Sequence, residues 1–158
     1  ALFYARQLYG MRQTFVISGR PLKVFLCHGK EDKPSVRYLY HRLQAVGIEP
    51  WLDEEQILPG QDWKFEITRA VRQSDIVLVC LSRTSVGKTG FVQKEIKDAL
   101  DAADERPEGR IFLIPARLEE CEVPDRLRGR QWVDLFNPGG FDLLLKSLQT
   151  CCTSQQKT

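Results

Sequence analysis

Apolar residues along this chain fall into two kinds of run, and the alternation between them predicts the fold. Short unbroken runs occur at residues 23–28 (Val24, Phe25, Leu26, Cys27), at 76–81 (Ile76, Val77, Leu78, Val79, Cys80, Leu81) and at 111–116. An unbroken run suits a strand covered on both faces, the mark of a parallel sheet. Residues 48–52 read as a further short strand, and 131–135 as a weak edge strand. Between these runs the apolar positions recur at helical spacing. Val36, Leu39, Leu43 and Val46 lie between Pro34, which suits a first helical turn after an Asp32 cap, and Gly47, which ends the helix. Asp62 caps a second helix packing Phe65, Ile67, Ala70 and Val71, and residues 141–148 make a last amphipathic one. Strands alternating with helices predict an α/β, flavodoxin-like domain, a five-stranded parallel sheet with helices on both faces.

Such sheets bind ligands beyond the C-terminal strand ends. Those ends fall at His28 and Gly29, at Leu52 and Asp53, and at Leu81 and Ser82. Residues 89–103 read as the next helix, with Val92, Ile96, Ala99, Leu100 and Ala103 as its apolar stripe. Glu95 lies about 85° from the middle of that stripe and Phe91 one turn before it. A carboxylate there borders the crevice at the strand ends; the plain alternative is a solvated helix glutamate. His28 either meets a ligand or closes its strand. Trp51 offers a face for a base or packs against the core. Asp53, Glu54 and Glu55 suit ribose hydroxyls or a solvated turn. Residues 57–60 (Ile57, Leu58, Pro59, Gly60) have turn chemistry.

Composition narrows the function classes. The chain has 158 residues, 42% hydrophobic and 28% charged, as expected of one soluble domain. A net charge of +2, with basic and acidic residues interleaved, argues against nucleic acid. No run is long enough to cross a membrane. Five cysteines without a CxxC pair, and only His28 and His41 as imidazoles, leave no metal site, and a reducing cytoplasm fits best. Residues 82–89 sit where a phosphate loop would, but Ser82 stands where that loop needs glycine. A response-regulator pocket would need carboxylates where His28, Gly29, Leu81 and Ser82 stand. The chain begins with Ala, as a fragment would, and residues 1–20 read as a linker remnant or docked extension, 21–150 as the domain and 151–158 as a polar tail.

Lys23 to His28 with Lys30, Glu31, Asp32 and Lys33, then Trp51, Leu52, Asp53, Glu54, Glu55, the turn Ile57 to Gly60 and Trp63, together resemble the opening half of a bacterial TIR (Toll/interleukin-1 receptor) domain. Leu81 and Ser82, followed by Phe91, Val92, Gln93, Lys94 and Glu95, resemble the segment that holds the family's catalytic glutamate. The resemblance covers residues 21–149. It implies cleavage of the nicotinamide–ribose bond of NAD+, giving nicotinamide and linear or cyclic ADP-ribose, with NAD+ as substrate and no separate cofactor. Glu95 maps on the catalytic glutamate, His28 and Gly29 on a ligand-contacting turn, and residues 53–62, with Leu58 and Gly60, on a mobile loop through which copies self-associate. Trp51, Asp53, Leu58, Gly60 and Phe91 complete the implied substrate site. Phe91 stands where the family commonly has Trp, so an aromatic face survives and an indole donor is lost. The resemblance further implies a cytoplasmic role in antiphage or cell-suicide signalling, with a fused or separate sensor domain. The competing readings are a TIR scaffold without catalysis and a deoxyribosyltransferase-like enzyme.

Overall fold

A computed structural model describes residues 15–87, 97, 101, 105 and 111–156. A two-residue hairpin, β1 (Val16–Ile17) and β2 (Arg20–Pro21), precedes the main sheet. The sheet is built from β3 (Lys23–Cys27), β4 (Glu49–Trp51), β5 (Ile76–Leu81), β6 (Leu113–Arg117) and β7 (Val133–Asp134). Among the described residues it has five strands, all parallel, in the order β4-β3-β5-β6-β7. This is the flavodoxin-like arrangement, with β3 and β5 side by side at the point where the order reverses.

Helices cover both faces, and alternate strand residues explain how. Val24, Leu26, Ile76, Leu78, Cys80, Ile114 and Ala116 pack with α1 (Lys33–Ala45) and α5 (Gly140–Gln156). Phe25, Cys27, Val77, Val79, Leu81 and Leu113 face the other way, onto α3 (Trp63–Gln73) and the loop residues Val123 and Leu127. Every residue of β5 is buried, as its unbroken apolar run requires.

Among the described residues, two prolines sit inside strands of the main sheet without breaking it. Glu49 N donates to Leu22 O, so Pro50, the next residue, turns its missing donor to the open edge. Leu135 N reaches Arg117 O, and Pro115 two residues earlier faces the same side, before β7 begins opposite Ala116. A proline often stops a strand, but this one runs through Pro115 to Arg117.

Other departures have local causes. Asp53–Gln56 forms a short helix, α2, rather than an open turn, closed by Ile57 N on Asp53 O at 2.9 Å. Phe65 is 59% exposed and does not pack, whereas Ala70 and Val71 do. Asp62 caps α3 as expected, accepting from Phe65 N at 2.8 Å. Gly47, at φ +91°, ends α1. The last helix continues past Leu148 to Gln156, and Cys151 and Cys152 are buried in the core rather than lying in a polar tail. Phe15 and Ile17 are buried too, so residues 15–20 are docked on the domain. Among the described residues no helix is long and apolar enough to cross a membrane. The helix expected at 89–103 lies outside the described residues except at Lys97 and Asp101, which are helical and exposed.

Candidate functional site

The C-terminal ends of β3, β4 and β5 meet where the strand order reverses. Parallel register sets Phe25 beside Trp51 and Cys27 beside Val79, so the residues that follow these strands leave the sheet together. His28, directly after β3, is buried. Its Nδ1 lies 2.8 Å from Gly29 O and its Nε2 3.3 Å from Asp53 Oδ1. Both neighbours are acceptors, so the ring donates to both only as imidazolium. Gly29 is buried and extended, at φ −79° and ψ 156°.

Asp53 begins α2. Its Oδ1 accepts from Glu54 N at 2.8 Å, and its Oδ2 lies 3.8 Å from Lys33 Nζ. Burial pushes this carboxyl up, but the His28 hydrogen bond and charge, the Glu54 N–H and Lys33 outweigh it and hold the group below the usual carboxylate range. Glu54 pairs with Lys33 and Arg37, and Glu55 with Arg37, so α1 cations engage the whole acidic turn. Only Asp53 turns to His28.

A depressed carboxyl stabilises the fold above its unfolded pKa, and that contribution is lost as pH falls through the folded value. The melting temperature of native protein should therefore exceed that of Asp53→Asn near neutrality, with the gap closing as the medium is acidified below the ordinary aspartate range, about pH 4. A gap independent of pH would rule out this charge pairing.

Trp51, the last residue of β4, packs with the core on the α3 side of the sheet. Its ring stacks on Phe25 with centroids 4.9 Å apart and an interplanar angle of 12°, which occupies one face. Leu58 and Gly60 stand on an exposed turn, where Leu58 N donates to Gln61 Oε1 at 2.7 Å, Gly60 has φ +92° and the Leu58 side chain is 63% exposed. The structure thus brings His28, Gly29 and Asp53 together, with Trp51 stacked on Phe25 and Leu58 and Gly60 outward. Glu95 and Phe91 lie outside the described residues.

Sequence reasoning missed the pair beside this cluster. Asp32 was read as the α1 cap, but it makes no cap bond; its Oδ2 accepts from Ser82 Oγ at 2.8 Å. Burial raises the Asp32 carboxyl, and the Ser82 bond and the His28 charge only partly offset this. Two carboxyls near one imidazole are thus pushed in opposite directions, a pattern common at functional sites. Ser82, a polar residue directly after an apolar strand, was the one available signal.

A family model described as TIR domain matches residues 24–148. The chain is 33% identical over 126 residues to NAD(+) hydrolase PdTIR of Paracoccus denitrificans (strain Pd 1222), covering 75% of this chain and 42% of that protein. It is also 33% identical over 93 residues to NAD(+) hydrolase TcpA of Theionarchaea archaeon (strain DG-70-1), covering 58% of this chain and 27% of that protein. The chain spans less than half the length of either relative. Among solved structures, the TIR domain of the Toll-related receptor TRR-2 from Hydra magnipapillata superposes with a TM-score of 0.66 at 21% identity, covering 80% of this chain and 97% of that one. At that identity the likeness concerns the fold.

Proposed function

The chain belongs to the TIR domain family, and from that premise we propose that it is an NAD+ glycohydrolase. Similarity to two relatives named NAD(+) hydrolase carries this reading. The convergence of His28, Gly29 and Asp53 at the sheet's switch point supports its location.

The chemistry follows from charge. Water and NAD+ give nicotinamide, ADP-ribose and a proton. Nicotinamide leaves as a neutral base from a cationic pyridinium, taking the electron pair of the bond to the ribose C1′. Positive charge therefore grows on the ribose as that bond stretches. In this reading the Glu95 carboxylate lies beside the ribose and stabilises that charge, as carboxylates do in glycoside hydrolysis. The His28–Gly29 turn and Asp53 hold the dinucleotide. Phe25 covers one face of Trp51, and in this reading Phe91 offers a further face for a base. The ADP-ribose is released as such or closed to a cyclic form.

Activity is further proposed to depend on self-association through residues 53–62, within antiphage or cell-suicide signalling in the cytoplasm. The apolar tip supports this: Leu58 is 63% exposed and Trp63, at the start of α3, 46% exposed. Turnover per molecule should rise with protein concentration, and Leu58→Asp should flatten that rise at unchanged melting temperature. Turnover per molecule that stays constant with concentration in the native protein would remove the assembly requirement. The test of the activity itself is chromatography of NAD+ incubated with concentrated protein, where a nicotinamide peak is expected. A TIR scaffold without catalysis would leave NAD+ intact while still associating through the same exposed tip.

A further inference from the structure

Asp32 immediately precedes α1, where an aspartate ordinarily caps a helix, yet its side chain makes no cap bond to α1. Its carboxylate points instead to Ser82, 50 residues along the chain. Ser82 begins a closed set of hydrogen bonds at the end of β5. Ser82 Oγ accepts from Ser85 N at 3.1 Å, Ser82 N donates to Ser85 Oγ at 2.8 Å, and Ser85 Oγ donates to Ser82 O at 3.1 Å. Both serines are buried, 4% and 1% exposed. Val86 N closes on Ser82 O at 3.0 Å, forming the turn of α4 (Arg83–Gly87), and Arg83 N donates to Glu119 Oε2 at 2.8 Å. The start of α4 is therefore hydrogen-bonded within itself and attached by Asp32 to the turn after β3.

We propose that Asp32 is a positioning residue for the reaction put forward above, and the inference rests on that reading: by holding Ser82 it sets the start of α4 against the His28–Gly29 turn, so that the two walls of the crevice keep one spacing. The arrangement is poorly explained by stability. The carboxylate forgoes its cap, and burial, with Glu119 and Glu31 adding repulsion, makes the ionised form less favourable than in water despite Ser82 and His28. A group kept in a place that suits it badly is the usual mark of a functional constraint.

The test uses the full chain with Asp32→Asn, Asp32→Ala, Ser82→Ala and the double Asp32→Ala/Ser82→Ala, alongside a Glu95→Ala control. Three readouts are taken: NAD+ cleavage, melting temperature, and hydrogen exchange of the Ser85 and Val86 amides. Asparagine keeps an acceptor for Ser82 Oγ, so Asp32→Asn should retain kcat within about threefold and melt at or above the native temperature at neutral pH. Asp32→Ala and Ser82→Ala should each lower kcat by about tenfold or more with KM within about twofold, since small misplacements cost rate before binding. Exchange at Ser85 and Val86 should quicken in both alanine variants, and the double variant should be no worse than either single one. Alanine variants with native kcat and native exchange would overturn the proposal. So would losses that add in the double variant, or that follow only the fraction unfolded. Absence of NAD+ cleavage by the native chain would count against the proposed function. The exchange data then decide the latch on their own: quickened exchange in Asp32→Ala upholds it, and unchanged exchange removes it.

Discussion

Replacing Glu95 by alanine is expected to lower NAD+ cleavage by about a hundred- to a thousandfold, the loss seen when a group aimed at developing transition-state charge is removed. Glu95→Gln separates two roles for that side chain. Glutamine can hold ribose hydroxyls but carries no charge. If the carboxylate acts mainly against the ribose cation, Glu95→Gln should be nearly as inactive as Glu95→Ala, with KM for NAD+ little changed in both. If it acts mainly by orienting hydroxyls, Glu95→Gln should recover much of the rate. Nicotinamide release followed by chromatography reports the loss, and an unchanged thermal melt excludes unfolding as its cause. Equal turnover by native protein and Glu95→Ala would move the site elsewhere.

The largest effect on stability is expected at Asp75, at the opposite end of the sheet. Its side chain is 8% exposed and accepts from Arg20 NH1 at 2.8 Å, Arg20 NH2 at 2.9 Å and Lys23 N at 2.8 Å. One carboxylate therefore joins the β1–β2 hairpin, the start of β3 and the turn before β5. Asp75→Ala removes these bonds and takes from Lys23 N the carboxylate that accepts from it. Breaking a buried charged pair costs about 3–5 kcal/mol. Arg20, at 42% side-chain exposure, recovers water, so a loss of about 2–3 kcal/mol is expected. The urea midpoint should fall accordingly, with quickened hydrogen exchange in residues 15–22. Asp125→Ala serves as the contrast: its pair with Arg128 is 88% exposed on the aspartate side and should leave the midpoint unmoved. Equal midpoints for native protein and Asp75→Ala would show that Phe15 and Ile17 hold the hairpin by packing alone.

The parts of this fold legible in the sequence are those decided by nearest neighbours. The unbroken run from Ile76 to Leu81 suits a doubly covered strand, and it forms one. Asp62 caps its helix through a residue three positions on, and Gly47 ends one at a positive φ that other residues avoid. Alternation of runs then gives the parallel sheet and the place of its crevice. What escaped depends on residues far apart in the chain. Nothing near Asp32 indicates that its carboxylate prefers Ser82 to its own helix. Cys151 and Cys152 look like part of a polar tail, yet cysteine buries as a small apolar side chain and they extend the core of the last helix. Phe65 fits the helical period, but α3 turns it outward, because Ala70 and Val71 already meet the sheet. Strands of two residues, such as β1, β2 and β7, are too short to show a period. At the site, position was legible and partnership was not: the strand ends indicated that His28 and Asp53 would be neighbours, while the bond between them depends on the register of β3 with β4.

The most direct measurement is the fate of NAD+ itself. Native chain at a concentration high enough to self-associate is mixed with NAD+, and the products are separated and identified. The account predicts free nicotinamide together with an equal amount of linear or cyclic ADP-ribose, with neither product formed by Glu95→Ala. NAD+ recovered whole from protein that has demonstrably assembled would contradict it and leave this TIR domain a binding module.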